Sequence, residues 1–389
     1  MTPAHQPHEP LVFISAAEPS ADRHGAALIR ATHALAPNVR FVGVAGPNMV
    51  NAGCDRIFDM TSHAAMLLGV VGAVPRAIRL LNTADRYLRR YPFDAAVVID
   101  SPTLHFPLAF RAKRAGVPVL YYIAPQLWAW GSYRIHKLRH SVDQVAAILP
   151  FEQAYFRNQG VDATFVGHPL ADTCGPDRYD NERISKIRQA GRPVVALLPG
   201  SRTHVVSELL PGQIAVARAI LSEFPEAHVG VSVAHDQLRP IVEAAIRRST
   251  LRLHAYPQGR TELIRAADLV LVASGTSTLE VAMHERPMIV MYNASRVFYH
   301  LVGRWMIHAP HLALPNILAG REIVPEFMPY YRSTEPITRC AIHLLKSEPA
   351  RRAMVDSLRT MVAPLKQPRA SERTACLLLS IIERSSAPE

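Results

Sequence analysis

The chain has 389 residues, 49% of them hydrophobic, and a formal net charge of +11 from 43 Lys and Arg against 32 Asp and Glu. That length holds two or three domains with large apolar cores, and the composition excludes a disordered chain. The basic residues are scattered, with no cationic tail, so the charge favours anionic partners such as phosphates or an anionic membrane surface over nucleic acid.

Leu11–Ser15 reads as a first strand, followed by the turn AAEPSAD and a helix from about His24 to Leu35. Glu18, Ser20, Asp22 and His24 crowd that turn. They suit substrate hydroxyls or phosphate as well as they suit a plain helix cap, and their spacing favours neither. Val42–Ala45 leads into GPNMVNAG. Ala64–Leu81 then breaks the alternation: Met66, Leu67, Leu68, Val70, Val71 and Val74 precede Arg76 and Arg79, a pattern that fits an interfacial segment and a buried core equally.

Strand Ala95–Ile99 ends at Asp100 and Pro102, placing a carboxylate at the carboxyl end of a central strand. That is a usual site for a general base, and also a common site for a helix cap. Val119–Ile123 leads into APQLWAW, whose Trp128 and Trp130 suit core, cleft lining or sugar stacking, and Val145–Leu149 leads into PFEQAYF. His168 and Asp172 stand four apart, but Pro169 argues against one helix and a metal site there.

Asp172–Arg192 is polar and has no strand-like run, so the domain junction is placed there. A second series starts at Val194–Leu198, closed by Pro199-Gly200-Ser201-Arg202 and a helix over about Ser207–Glu223. Ser201 and Arg202 bring backbone donors and a guanidinium suited to a leaving diphosphate, although an ordinary turn with a surface arginine looks the same. Ala227–Val233, Leu251–Ala255, Leu269–Ala273 and Met288–Met291 continue the series. The chain is organised around Ala266–Met288, where Leu269–Ala273 stops at Ser274-Gly275-Thr276-Ser277 and helical spacing begins. The first amides of that helix suit a diphosphate, Gly275 permits close approach, and Glu280 lies one turn in, within reach of ribose hydroxyls. Alternating strands and helices predict an α/β protein with mainly parallel sheets, in two doubly wound halves with a cleft between them.

Cys54, Cys174, Cys340 and Cys376 are far apart and show no metal-ligand spacing, which points to reduced thiols in a cytoplasmic protein. MTPAHQPHEP lacks the pattern of a signal peptide, and no stretch reaches the roughly 18 apolar residues that span a bilayer. The nucleophile elbow GxSxG, the Walker A loop and GxGxxG are all absent from the sequence, which argues against hydrolase, kinase and dinucleotide dehydrogenase chemistry.

From about Leu11 to Ile382 the chain resembles the lipid-A-disaccharide synthase family. The landmarks run in order: AEPSAD with HGA, FVGVAGPNMVNAGC, LLGVVGAVPR, VVIDSP, YYIAPQLWAW, LPFEQAYF, FVGHPLAD, ALLPGSR, ASGTSTLE and LPNILAGREIVPEF. The resemblance implies a GT-B fold, two Rossmann-like doubly wound domains facing across a cleft. Its implied parts are an acceptor and membrane-side domain over 1–185, a UDP-sugar-binding domain over 186–345, and a helical segment over 346–389 that crosses back to the first. It implies inverting transfer from UDP-2,3-diacylglucosamine to the 6-hydroxyl of 2,3-diacylglucosamine 1-phosphate (lipid X), giving a β-1,6 disaccharide and UDP. In that scheme Asp100 is the base and Arg202 the diphosphate-side arginine. Ser201, Ser274, Gly275, Thr276, Ser277 and Glu280 bind UDP, while Glu18, Ser20, Asp22 and Asn316 line the substrate site. No cofactor and no metal is implied, and the UDP-sugar is a substrate. Met66–Val74 matches a membrane-facing surface, implying a cytoplasmic enzyme held peripherally at the anionic inner face of the inner membrane; a homodimer is left open.

The chain departs from the family pattern at Ala17, Ala21, Gly72, Thr103, Gly131 and Asn293, with Arg134 and Arg296 as nearby substitutes for missing arginines. Two rival readings are a UDP-sugar epimerase of the same two-lobed fold and a diverged binding paralogue without turnover.

Overall fold

The structure, a computed structural model, describes residues 9–59, 69–129, 131–175, 179–293 and 311–386. The side chains of Met66–Val74 as well as Trp130 and Arg296 lie outside what is described.

The chain divides into two units, Met1–Asp172 with Gln367–Glu389, and Thr173–Lys366. In the first, the described strands are β1 (Leu11–Ala16), β2 (Arg40–Val44), β3 (Cys54–Phe58), β4 (Ala95–Ile99), β5 (Val119–Tyr122), β6 (Gln144–Ala147) and β7 (Ala163–Phe165). They form one sheet in the order β3-β2-β1-β4-β5-β6-β7. The second unit holds β8 (Val194–Leu198), β9 (His228–Ser232), β10 (Leu253–Tyr256), β11 (Leu269–Ala273), β12 (Met288–Met291) and β13 (Glu326–Phe327), ordered β10-β9-β8-β11-β12-β13. Every one of these pairings is parallel.

Helices cover both faces of a parallel sheet, so its central strands are unbroken apolar runs. In β4, Ala96 and Val98 enter one core while Ala95, Val97 and Ile99 enter the other. β3, β7 and β13 were not read from the sequence. All three are edge strands, short or half solvated, and in β3 only Cys54 is buried while Asp55 and Arg56 are exposed.

Two boundaries differ from the sequence reading. Residues 173–185 belong to the second unit, because helix Asn181–Gln189 packs on helix Arg260–Ala266 and Arg188 donates to the Arg265 carbonyl at 3.1 Å. Helices Glu335–Lys346 and Glu348–Val362 also stay there, packed on helices Thr203–Glu223 and Thr276–Met283. The return to the first unit starts only at Gln367. Helix Ala370–Ser386 then lies against helix Pro19–Leu35 and adds Ala375, Leu378, Ile381 and Ile382 to the first unit's core. Asp172 secures its start, with Oδ1 accepting from Arg369 N at 2.6 Å and Oδ2 from Ser371 N at 3.3 Å.

Among the described residues, helix Thr203–Glu223 is long and apolar enough to cross a bilayer, which the sequence reading had not found in any stretch. It buries Val206, Leu209, Leu210, Val216, Ala217 and Ile220, as the core helix of a folded domain does.

Candidate active site

In the first unit the chain moves outward from β1 through β2 to β3, then returns to place β4 on the other side of β1. Ligands of open α/β sheets bind at such a reversal, beyond the carboxyl ends of the strands. Ala16 pairs with Ile99, so Ala17–Glu18 and Asp100–Ser101 leave the sheet side by side. Glu18 is exposed and Ser20 half-buried at the start of helix Pro19–Leu35.

Asp100 and Ser101 both adopt positive φ, 56° and 46°. Left-handed backbone at a residue other than glycine costs about 1–3 kcal/mol, and such strain gathers at functional sites. The Asp100 carbonyl accepts from His105 Nδ1 at 2.6 Å and from the Tyr121 hydroxyl at 2.8 Å. The sequence reading passed over His105, which occupies no recognisable motif.

Asp22 is corrected. It is 1% exposed. Its Oδ1 accepts from Gly46 N (2.9 Å) and Met49 N (3.1 Å), and its Oδ2 from Asn48 N (3.0 Å) and Asn48 Nδ2 (2.7 Å). The carboxylate therefore caps helix Pro47–Asn51, whose own N-cap, Gly46, has no side chain to do so.

The second unit repeats the arrangement. The reversal falls between β8 and β11, and Leu198 pairs with Val272, so PGSR and SGTS emerge next to each other. Gly200 has φ 112°, and a Cβ there would stand 3.6 Å from that of Ala273. Gly275, at φ 132° and ψ −160°, is in a region only glycine enters freely, and a Cβ on it would meet nothing within 4 Å. No side chain caps helix Thr276–Met283, whose first amides face the turn. The Gly275 carbonyl is held instead by Thr278, through N at 3.0 Å and Oγ1 at 2.8 Å.

Arg202 is exposed at the N-cap of helix Thr203–Glu223, and His235 Nε2 donates to the Ser201 carbonyl at 2.9 Å. Glu280 is half-buried and paired with Arg260 at 2.8 Å, while Arg260 Nη2 also donates to Ser277 Oγ at 2.9 Å. Sequence reasoning missed His235 and Arg260, since each reaches the turn from a separate loop or helix.

Asn316 is the second correction. It is 0% exposed, and its amide is consumed inside the protein. Oδ1 accepts from Ile323 N (2.8 Å) and Val324 N (3.0 Å); Nδ2 donates to the Val324 carbonyl (2.9 Å) and Glu326 Oε2 (3.0 Å). It fastens the segment leading into β13.

Trp128, in the loop after β5, is held by buried Glu152, whose Oε1 accepts from Trp128 Nε1 at 3.0 Å. Oε2 accepts from Ile148 N (3.2 Å) and Leu149 N (3.1 Å). Burial outweighs these hydrogen bonds and pushes Glu152 up to about 7. A raised folded-state pKa favours the protonated fold, so this contribution to stability is complete below about pH 4.5 and is lost as pH rises through about 7. Denaturant titrations at pH 5, 6, 7 and 8 should show a declining stability whose slope is shallower in Glu152→Gln, which carries no titrating group there. In the same loop, Gly131 has φ 74°, and Arg134 Cδ would lie 3.5 Å from a Cβ placed on it.

The family described as lipid-A-disaccharide synthetase matches residues 12–381. The lipid-A-disaccharide synthase of Anaeromyxobacter sp. (strain K) is 36% identical over 376 residues, 95% of this chain and 97% of that protein. Among solved structures, the putative UDP-N-acetylglucosamine 2-epimerase from Listeria monocytogenes superposes with a TM-score of 0.67 at 15% identity, covering 98% of each chain. The glycotransferase of kitacinnamycin gives 0.63 at 14% identity, covering 96% of this chain and 98% of that one. At such identities these two show the fold alone, the GT-B fold that transferases and epimerases share.

Proposed function

The chain belongs to the lipid-A-disaccharide synthase family, and from that premise we propose that it transfers 2,3-diacylglucosamine from UDP-2,3-diacylglucosamine to 2,3-diacylglucosamine 1-phosphate with inversion. It is a UDP-dependent glycosyltransferase. The observation that carries the reading is 36% identity over 95% of the chain to a protein of that name. The fold alone would serve an epimerase equally well.

In this reaction Asp100 takes the proton of the acceptor 6-hydroxyl as that oxygen attacks the anomeric carbon. The bond from that carbon to the diphosphate breaks, and UDP leaves carrying the negative charge. Arg202 and the amides at Ser274–Ser277 meet that charge, and Gly275 lets the backbone come close to it. Support for these roles comes from the two reversals, which gather Glu18, Ser20 and Asp100 in one unit and Ser201, Arg202 and Ser274–Ser277 in the other. Glu280 reaches the ribose while braced by Arg260. Asp22 and Asn316 spend their side-chain polar atoms on hydrogen bonds inside the protein, so the scheme gives them no binding role. No cofactor enters the scheme, because the UDP-sugar is itself the donor. The diacylated substrates are membrane lipids, so the enzyme works from the cytoplasmic side on an anionic inner-membrane surface, reached through Met66–Val74.

The test is UDP release by purified protein given UDP-2,3-diacylglucosamine, with and without lipid X. Acceptor-dependent UDP together with disaccharide is the expected result. UDP formed without acceptor, or substrate binding with no disaccharide, would overturn the transferase assignment.

A further inference from the structure

Two consecutive residues other than glycine in the left-handed region are uncommon, and here they are Asp100 and Ser101, at φ 56° and 46°. A turn of this kind persists only where its surroundings hold it. The Asp100 carbonyl is met by His105 Nδ1 at 2.6 Å and by Tyr121 Oη at 2.8 Å. Both side chains are fully buried, one on the helix that follows the turn and one on the neighbouring strand β5. On the far side of the ring, His105 Nε2 lies 2.9 Å from Ser15 Oγ, a buried hydroxyl on β1.

The hydrogens of this chain follow from its chemistry. A carbonyl only accepts, so Nδ1 carries the ring proton, and Nε2 in turn accepts from the Ser15 hydroxyl. Burial lowers His105 to about 4, so the ring is neutral around pH 7 and keeps this one tautomer. Ser15, His105 and Asp100 thus link β1 to the end of β4 across the reversal where the first unit's candidate residues gather.

We propose that His105, assisted by Tyr121 and Ser15, is a positioning residue that sets the aim of the Asp100 carboxylate by clamping the carbonyl of the same residue. The inference rests on the reading of Asp100 as the base. Relaxation of φ at Asp100 and Ser101 from 56° and 46° turns the Asp100 Cα–Cβ bond and re-aims the carboxylate, and a displacement near 1 Å can cost about a hundredfold in rate. The clamp prevents that relaxation, while UDP binding depends on residues of the other unit.

The experiment uses steady-state kinetics of the full-length protein carrying His105→Leu, His105→Asn, Asp100→Asn, or both Asp100→Asn and His105→Leu. Leucine preserves much of the volume and loses the donor; asparagine carries an N–H close to where Nδ1 stands. His105→Leu should lower kcat about 10- to 100-fold with KM for UDP-2,3-diacylglucosamine within about twofold, and His105→Asn should recover most of the loss. On the Asp100→Asn background, His105→Leu should cause no further loss, since it acts through the missing carboxylate. Wild-type kcat in His105→Leu, no recovery in a folded His105→Asn, or losses that multiply in the double variant would each overturn the inference. If His105→Leu does not fold, Tyr121→Phe removes one clamp oxygen alone; a several-fold lower kcat supports the clamp and an unchanged kcat overturns it. Wild-type turnover by Asp100→Asn would instead sink the base assignment, and this inference with it. An inactive Asp100→Asn beside a fully active His105→Leu would sink the inference alone.

Discussion

Asp100→Asn should lower kcat for disaccharide formation by about 10²–10⁴-fold, the usual range for losing a general base. The amide has nearly the shape of the carboxylate and leaves the backbone carbonyl to His105 and Tyr121, so the turn after β4 should survive. UDP affinity, measured by titration calorimetry, should stay within about twofold, because the groups assigned to UDP lie at the β8 and β11 ends of the second unit. A loss of affinity parallel to the loss of rate would mean that Asp100 acts in binding. A rate near that of the unaltered enzyme would place the base elsewhere.

Asp22→Ala should destabilise the protein by about 3–5 kcal/mol, seen as a lower denaturation midpoint of the first unit. The substitution strands three backbone N–H groups, of Gly46, Asn48 and Met49, together with the Asn48 amide. Each orphaned buried donor costs about 1–3 kcal/mol, and partial access of water reduces the sum. Were Asp22 a substrate ligand, the same change would raise KM and leave the midpoint in place. Glu18, four residues earlier and exposed, is the contrast: Glu18→Ala should change stability by less than about 1 kcal/mol and act on acceptor use.

The central strands were legible for a physical reason. β4 and β11 are buried on both faces, so AAVVI and LVLVA are unbroken apolar runs, and the residue after such a run lies at the carboxyl end where ligands bind. That logic singled out Asp100 and Ser274–Ser277. It failed at β3, β7 and β13, where an edge strand needs only a few residues and one buried face. It also failed at the domain limits. A polar stretch marks a junction without saying which side its helix joins, and Glu335–Val362 carries the same amphipathic spacing as the helix that does return.

Glu18 and Asp22 show the limit of composition within a site. Both are carboxylates in one turn, one exposed and the other spent on the amides of 46–49, because folding brings helix Pro19–Leu35 against helix Pro47–Asn51. Only the resemblance around LPNILAGRE places Asn316 at the substrate site, and its four hydrogen bonds go to 323–326.

By itself the sequence determined the α/β class, the order of the central strands along the chain, and the kinds of side chain at their carboxyl ends. Those depend on local periodicity and on which residues can turn a strand into a helix. Only the tertiary structure decided that β1 lies beside β4 and β8 beside β11, and that His105 and Tyr121 clamp Asp100. It alone decided that Asp22 and Asn316 serve the backbone. Each of these depends on which donors and acceptors folding brings within about 3 Å of one another, and pairs such as Ser15 and His105, 90 residues apart, leave no periodic trace in the chain.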